Sequence, residues 1–281
     1  MNMKTLKKAF KITFIILIAI VLIHVVSLFT LDKSIEYKEV PFHSAKIPPE
    51  MDGYRIAFII DTHSMSAQEL EKVVAKTNEF EPDLLILGGD FASCYETPKS
   101  LMEVWTKAVT VDGIYGVEGN HDDYVYLFQD MEYYSIKPLS NSGVRIRDGF
   151  YLAGVGDLWN RSPDIAKSIA DAGSDDFVLL IAHHPDVTMT QDTTGVDLIL
   201  SGHTHGGHVT FFGIWAPGLT LGKTVTDYGQ RFMSGWAESG DGTPVYVSRG
   251  TGNLSNSQVP RVFARPQVIL MTLAAKQIIA D

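Results

Sequence analysis

Five short apolar runs in this chain each end in Asp, Asn or His, and that pattern restricts the fold more than any other feature. YRIAFII (54–60) leads into Asp61 and His63, and DLLILGG (83–89) into Asp90. IYGVEG (114–119) leads into Asn120, His121 and Asp122, FVLLIA (177–182) into His183 and His184, and VDLILSG (196–202) into His203 and His205. Runs this short and this continuously apolar read as strands covered on both faces. After the first, Ser66 and Glu69 form a capping-box pair, and Leu70, Val73, Val74 and Thr77 follow at the spacing of one helix face. LMEVWTKAV (101–109) reads as a second helix, and YLAGVG, PVYVS and QVILMTL as three further strands. Strands and helices in alternation imply a layered α/β protein, with ligands bound just past the carboxyl ends of the strands.

Asn, Asp and Gly are ordinary turn residues, which accounts for any one of these ends taken alone. Turns do not favour histidine, yet six of the nine His in the chain lie at these ends. Carboxylates, imidazoles and an amide oxygen without thiolate suit Mn, Fe, Zn, Ni or Mg, and not a cysteine-based structural zinc site. The set has more donors than one ion needs, so two divalent ions sharing a carboxylate is the economical reading. Two ions about 3.5–4 Å apart can activate a water and clamp the oxygens of an in-line phosphoryl displacement.

D-T-H (61–63), G-G-D (88–90), G-N-H-D (119–122), A-H-H-P (182–185) and G-H-T-H-G-G (202–207) together resemble the five ordered motifs of the calcineurin-like metallophosphoesterases. The resemblance extends from about Tyr54 to Leu273. It is closest to the bacterial membrane-associated or exported branch, with GHTHGG and a late VSRGTGN segment (247–253). It implies a four-layer αββα sandwich. It further implies that Asp61, His63 and His205 hold one ion, that Asn120, His183 and His203 hold the other, and that Asp90 bridges them. Manganese is the first expectation for the ions. His121 would stabilise the transition state or protonate the leaving oxygen, oriented by Asp122. The implied reaction is direct attack of water on phosphorus, with no covalent enzyme intermediate. His184 would be a neighbour, and His208 stands where this branch often has Gln, either touching substrate or packing.

Ahead of this body, Ile12–Leu31 is a run of twenty residues with no Asp, Glu, Lys or Arg, enough helix to cross the roughly 30 Å hydrocarbon core of a bilayer. Lys4, Lys7, Lys8 and Lys11 precede it, so the positive-inside bias puts the amino terminus in the cytoplasm and the body across the membrane. A cleaved signal peptide would have a shorter apolar region and a small-x-small site, and SLFTLDKS is a poor one. His24, inside the run, reads as a neutral residue tolerated in an anchor. The expected organisation is a basic end and transmembrane signal anchor over 1–34, a polar linker over 35–50, and a metallophosphoesterase domain over 51–281. The formal charge of −10 divides at residue 34 into +4 before and −14 after, and so acidic a body has no basic footprint for nucleic acid.

Arg249 and Arg261 flank a Gly- and Asn-rich loop, and an Arg fork suits a phosphate. VTFFGIWAPGL (209–219) reads either as a strand with a packed turn or as a lipid-facing element. Cys94, the single cysteine, reads as a small buried residue, and the N-x-S patterns at Asn160 and Asn253 as chance matches. The expected activity is membrane-anchored hydrolysis of a phosphodiester or pyrophosphate, with a lipid or cell-envelope substrate favoured by the placement of the anchor. The alternatives are a phosphomonoesterase or nucleotidase on soluble substrates and a non-catalytic metal-binding scaffold. Oligomeric state has no signature in the sequence.

Overall fold

The computed structural model describes residues 2–63, 65–92, 99–159, 162–222, 225–252 and 260–275, so Cys94, Asn160 and Asn253 lie outside the described residues. Two six-stranded sheets form the body. The first is ordered β1 (Glu36–Ser44), β12 (Gln267–Ala275), β2 (Arg55–Ile59), β3 (Leu84–Leu87), β4 (Ile114–Gly116), β5 (Ile136–Pro138). The second is ordered β10 (Gly235–Glu238), β11 (Pro244–Val247), β9 (Leu198–Ser201), β8 (Phe177–Ile181), β7 (Phe150–Gly154), β6 (Ser142–Arg147). β2 to β5 run parallel, as do β7, β8, β9 and β11, so the ligand-bearing strands all end on one side of their sheet.

Alternate residues along each central strand enter different cores, as a period of two requires. Ile56 and Phe58 of β2 meet Phe177, Leu179 and Ile181 of β8 between the sheets. Ala57 and Ile59 face outward, under α2 (Ala67–Asn78), α3 (Lys99–Trp105) and α4 (Tyr124–Tyr133), with Val73, Trp105 and Met131 buried there. On the far side Val178 and Leu180 of β8 pack against Ile165, Val187 and Phe232 from shorter helical pieces. The layers are therefore αββα. The Ser66–Glu69 capping box forms at the head of α2, and Leu70, Val73, Val74 and Thr77 are its buried face.

All eight strands read from apolar runs are present, while the second helix stops at Trp105. The segment read as a linker over 35–50 is a correction. Glu36–Ser44 forms β1, which pairs in parallel with β12 over nine residues, and Val40 enters the inter-sheet core at 4% exposure. Its partner lies some 230 residues away, so nothing local announces it. The remaining helix, α1 (Met3–Phe29), includes the apolar run. By length and composition it can cross a membrane, and only 6% of its most apolar stretch is buried by the rest of the protein.

Because β1 is core and not tether, Val40→Asp puts an uncompensated carboxylate between the sheets. A loss of more than about 3 kcal/mol in denaturant unfolding is expected. No loss would mean that β1 is dispensable to the body.

Candidate metal centre

The carboxyl ends of β2, β3 and β4 in one sheet and of β8 and β9 in the other carry every residue of the predicted ligand set, and the inter-sheet packing brings them together. Asp61, His63, Asp90, His203 and His205 all have positive φ, between 39° and 66°. Asp, Asn and His tolerate this region better than other side chains, but each instance still costs about 1 kcal/mol or more. Two glycines make the turns fit. A Cβ on Gly89 would lie 2.4 Å from the Gly119 amide nitrogen, and one on Gly119 would lie 2.2 Å from Asp90 Oδ1. The G-G-D and G-N-H-D loops are thus in backbone contact.

Two clusters result. Asp61, His63 and His205 offer one ligand atom each within 4.8 Å of one another, and Asp90, His183 and His203 do the same. All six are buried. Asp90 stands between the clusters, with Oδ2 3.4 Å from His63 Nε2 and 3.4 Å from His183 Nε2. Asn120 Oδ1 lies 3.2 Å from the same His183 nitrogen. Asp61 Oδ1 is buried with no hydrogen-bond partner among the described residues, 3.9 Å from both His183 Nε2 and His205 Nε2. A buried carboxylate oxygen without a donor is costly. Facing converging imidazole nitrogens, it fits a cation. The donor set is therefore chemically suited to divalent metal ions.

The second contact of each imidazole fixes its aim. His183 Nδ1 is 2.8 Å from the Gly88 carbonyl, leaving Nε2 toward Asp90, and His203 Nε2 is 3.0 Å from the Val225 carbonyl, leaving Nδ1 inward. His205 Nδ1 is 3.0 Å from Arg261 Nη2. The His205 Nε2 lies 3.1 Å from His63 Nε2. Burial pushes His63 down to about 4 and holds His203 and His205 well below the usual imidazole value. His183 is the exception: burial lowers it, but the Asp90 carboxylate prevails and raises it well above that value. For Asp90 burial works upward, yet His183 and His63 hold it below the ordinary carboxylate range. Burial raises Asp61 to about 7.

Around this centre the structure departs from several expectations. Asp122 does not spend its carboxylate on the His121 ring. It accepts the amides of Asp90 (2.7 Å), Gly119 (2.9 Å) and Phe91 (3.0 Å), and so ties the two loops together. His121 is half-buried beside His63, with ring centroids 5.3 Å apart, and its amide donates to Asp90 Oδ1 at 2.8 Å. Arg261, expected at substrate, is 4% exposed and gives its Nη atoms to His205 and to the carbonyls of Arg249, Gly252 and Ala264. Arg249 is likewise engaged, with Arg265 carbonyl and with Glu36 of β1. Both are frame residues, because a guanidinium can satisfy several buried carbonyls at once. His208 packs on His205 with rings 4.8 Å apart, and His184 stacks on His203 at 4.0 Å.

Two contributors escaped the sequence reading. Trp159, 54% exposed, stands edge-on to His203 at 4.7 Å and roofs that side of the centre. Its signal was the Asp157–Trp159 segment just past the strand YLAGVG, another polar strand end. The backing of His205 by Arg261 had no local signal, since 56 residues separate them. Asp122→Asn replaces an acceptor oxygen with a donor facing amides. It should cost about 1–3 kcal/mol in unfolding free energy, whereas a residue serving only His121 would leave stability unchanged.

A family profile described as calcineurin-like phosphoesterase matches residues 54–207. An uncharacterized metallophosphoesterase of Campylobacter jejuni is 28% identical over 264 residues, covering 88% of this chain and 66% of that protein. The uncharacterized metallophosphoesterase YkuE of Bacillus subtilis is 28% identical, covering 85% of each. A zebrafish (Danio rerio) protein named transmembrane protein with metallophosphoesterase domain is 27% identical over 74% of this chain and 50% of its own length. The chain thus spans about two thirds of the Campylobacter relative and half of the zebrafish one. With matching motifs, matching fold and buried Asp/His clusters at the strand ends, the chain belongs to the calcineurin-like phosphoesterase family and is a hydrolase of phosphoric esters.

Proposed function

We propose that this is a membrane-anchored, dinuclear phosphoesterase that hydrolyses a phosphodiester or pyrophosphate bond in a lipid-linked or cell-envelope substrate. The observation that carries the reading is Asp90 Oδ2 lying 3.4 Å from one imidazole of each cluster, the position of a shared ligand. In this reading Asp61, His63 and His205 hold one divalent ion and Asn120, His183 and His203 the other, with manganese foremost. Bound there, such ions would supply Lewis acidity to the phosphoryl oxygens and to the attacking water.

The chain's own groups supply the rest. His121 stands at the edge of the clusters, where its ring can hand a proton to the departing oxygen. Asp122 keeps its loop and the Asp90 loop in register. The membrane anchor is supported by the length and exposure of α1 and by the transmembrane relative. The four lysines ahead of the apolar run favour a cytoplasmic amino terminus and an extracytoplasmic catalytic body.

His121→Ala should lower turnover of bis(p-nitrophenyl) phosphate by about 10²–10⁴-fold, with bound metal by elemental analysis unchanged. Faster cleavage of the matching monoester by the wild type would favour the soluble phosphomonoesterase instead. Metal binding should be pH-dependent with a definite sign. His183, with its raised pKa, and Asp61, at about 7, carry protons near neutrality in the ion-free protein. Ligands must be deprotonated, so binding expels those protons and Mn²⁺ affinity rises between about pH 6 and 8. Titration calorimetry in two buffers of different ionisation enthalpy measures the release, and pH-independent affinity would contradict the ligand assignment.

A further inference from the structure

His24 lies within the apolar run, about 7.5 Å of helix before α1 ends at Phe29. Its ring touches the catalytic body at that depth, 4.6 Å from Phe212, 5.0 Å from Phe263 and 5.4 Å from Phe211 between centroids. The contact is held by a buried polar joint. Asp32 accepts the Ser27 hydroxyl at 2.5 Å and the amides of Phe263 and Ala264 at 2.9 and 3.0 Å. A bilayer that covers Ile12–Leu31 therefore covers these rings as well.

In a medium without water backbone groups must be satisfied internally, and three amides of the segment are. The amides of Phe211, Gly213 and Ile214 donate to the Trp215 carbonyl (2.7 Å), Thr210 Oγ1 (2.8 Å) and the Phe211 carbonyl (3.1 Å). Its outward side chains are apolar: Phe211 is 49%, Ile214 78% and Trp215 43% exposed. Clustered exposure of this kind marks an interaction surface, and the adjoining span identifies the partner as lipid. Between the segment and α1 is an open groove of about 390 Å³ lined by Ile20, Val21, Val25, Phe29, Phe211 and Val262, with His24. Val262 gives its amide to the His208 carbonyl at 2.8 Å, and the His208 ring stacks on His205. Val262 of the groove is thus linked through His208 to His205 of the metal centre.

We propose that residues 209–215 are embedded in the bilayer beside α1 and that the groove between them takes an acyl chain of the substrate, so that the substrate is a phosphate ester carried on a membrane lipid. The second half rests on the phosphoesterase reading above; the first does not.

The test uses the full chain in phospholipid nanodiscs. With a phospholipid bearing a diazirine in its acyl chain, photolysis should place adducts on Phe211–Trp215 as well as on α1. Adducts on α1 alone, or crosslinks to a second copy in place of lipid, would overturn the embedding. Val21→Trp fills the groove and Ile214→Asp opposes insertion. Each should lower turnover of a long-chain lipid phosphodiester by about tenfold, roughly the loss of two buried methylenes. Both should leave a short-chain diester with the same headgroup unchanged. Equal losses on both substrates, or none on either, would overturn the acyl-chain role. If no phosphate ester is turned over by the wild type, the phosphoesterase reading and the acyl-chain role fail together, while the photolysis result still decides the embedding.

Discussion

The packing face to face of two mixed sheets, each with a block of four parallel strands, is the constraint from which the rest of the molecule follows. Each sheet directs its central strands to finish on one side, and the shared core of Ile56, Phe58, Leu179 and Ile181 sets one group of strand ends against the other. Neither sheet alone could gather the donors. Asp61, Asp90 and Asn120 come from one, and His183, His203 and His205 from the other. Burial of these groups is costly, and so are their left-handed backbone conformations. The apolar layers on either side offset that cost, and the Asp122 carboxylate holds two of the loops by their amides.

Electrostatics inside the centre follows from the same burial. Burial drives His63, His203 and His205 toward the neutral form, the state that binds metal, and for His63 it prevails even though Asp90 lies 3.4 Å away. His183, against Asp90, keeps its charge in the ion-free protein and lends the cluster a stand-in cation. Arg261 adds a positive charge behind His205, with its Nη donors directed to backbone carbonyls.

Most of the fold was legible in the sequence, and the limit of legibility has a physical pattern. The eight strands found from apolar runs are all interior to their sheets. The four that were missed, β1, β5, β6 and β10, are the four sheet edges. Interior strands are covered on both faces and must be apolar throughout. Edges are short or carry polar and charged residues that discourage further pairing, so EYKEVPFHS reads as a linker until its partner is known. The apolar stretch after GHTHGG was ambiguous for a related reason: whether such a run is core or lipid-facing depends on what stands beside it, and here that is α1.

The candidate donors, their order along the chain and the chemistry they suit were legible in the sequence alone. Strand ends in an α/β protein are where ligands bind, and histidine there has no turn-forming reason to exist. Tertiary structure alone decided the roles of the residues around them. Arg249 and Arg261 had the right chemistry for phosphate, and only the fold shows their donors committed to Glu36 and to buried carbonyls. Asp122 sits next to His121 in sequence, but its carboxylate meets the amides of Asp90 and Gly119. A ligand set is conditioned by local strand geometry, which the sequence encodes. Hydrogen-bond partners are chosen by whichever segments the sheets bring close, and those lie tens to hundreds of residues away.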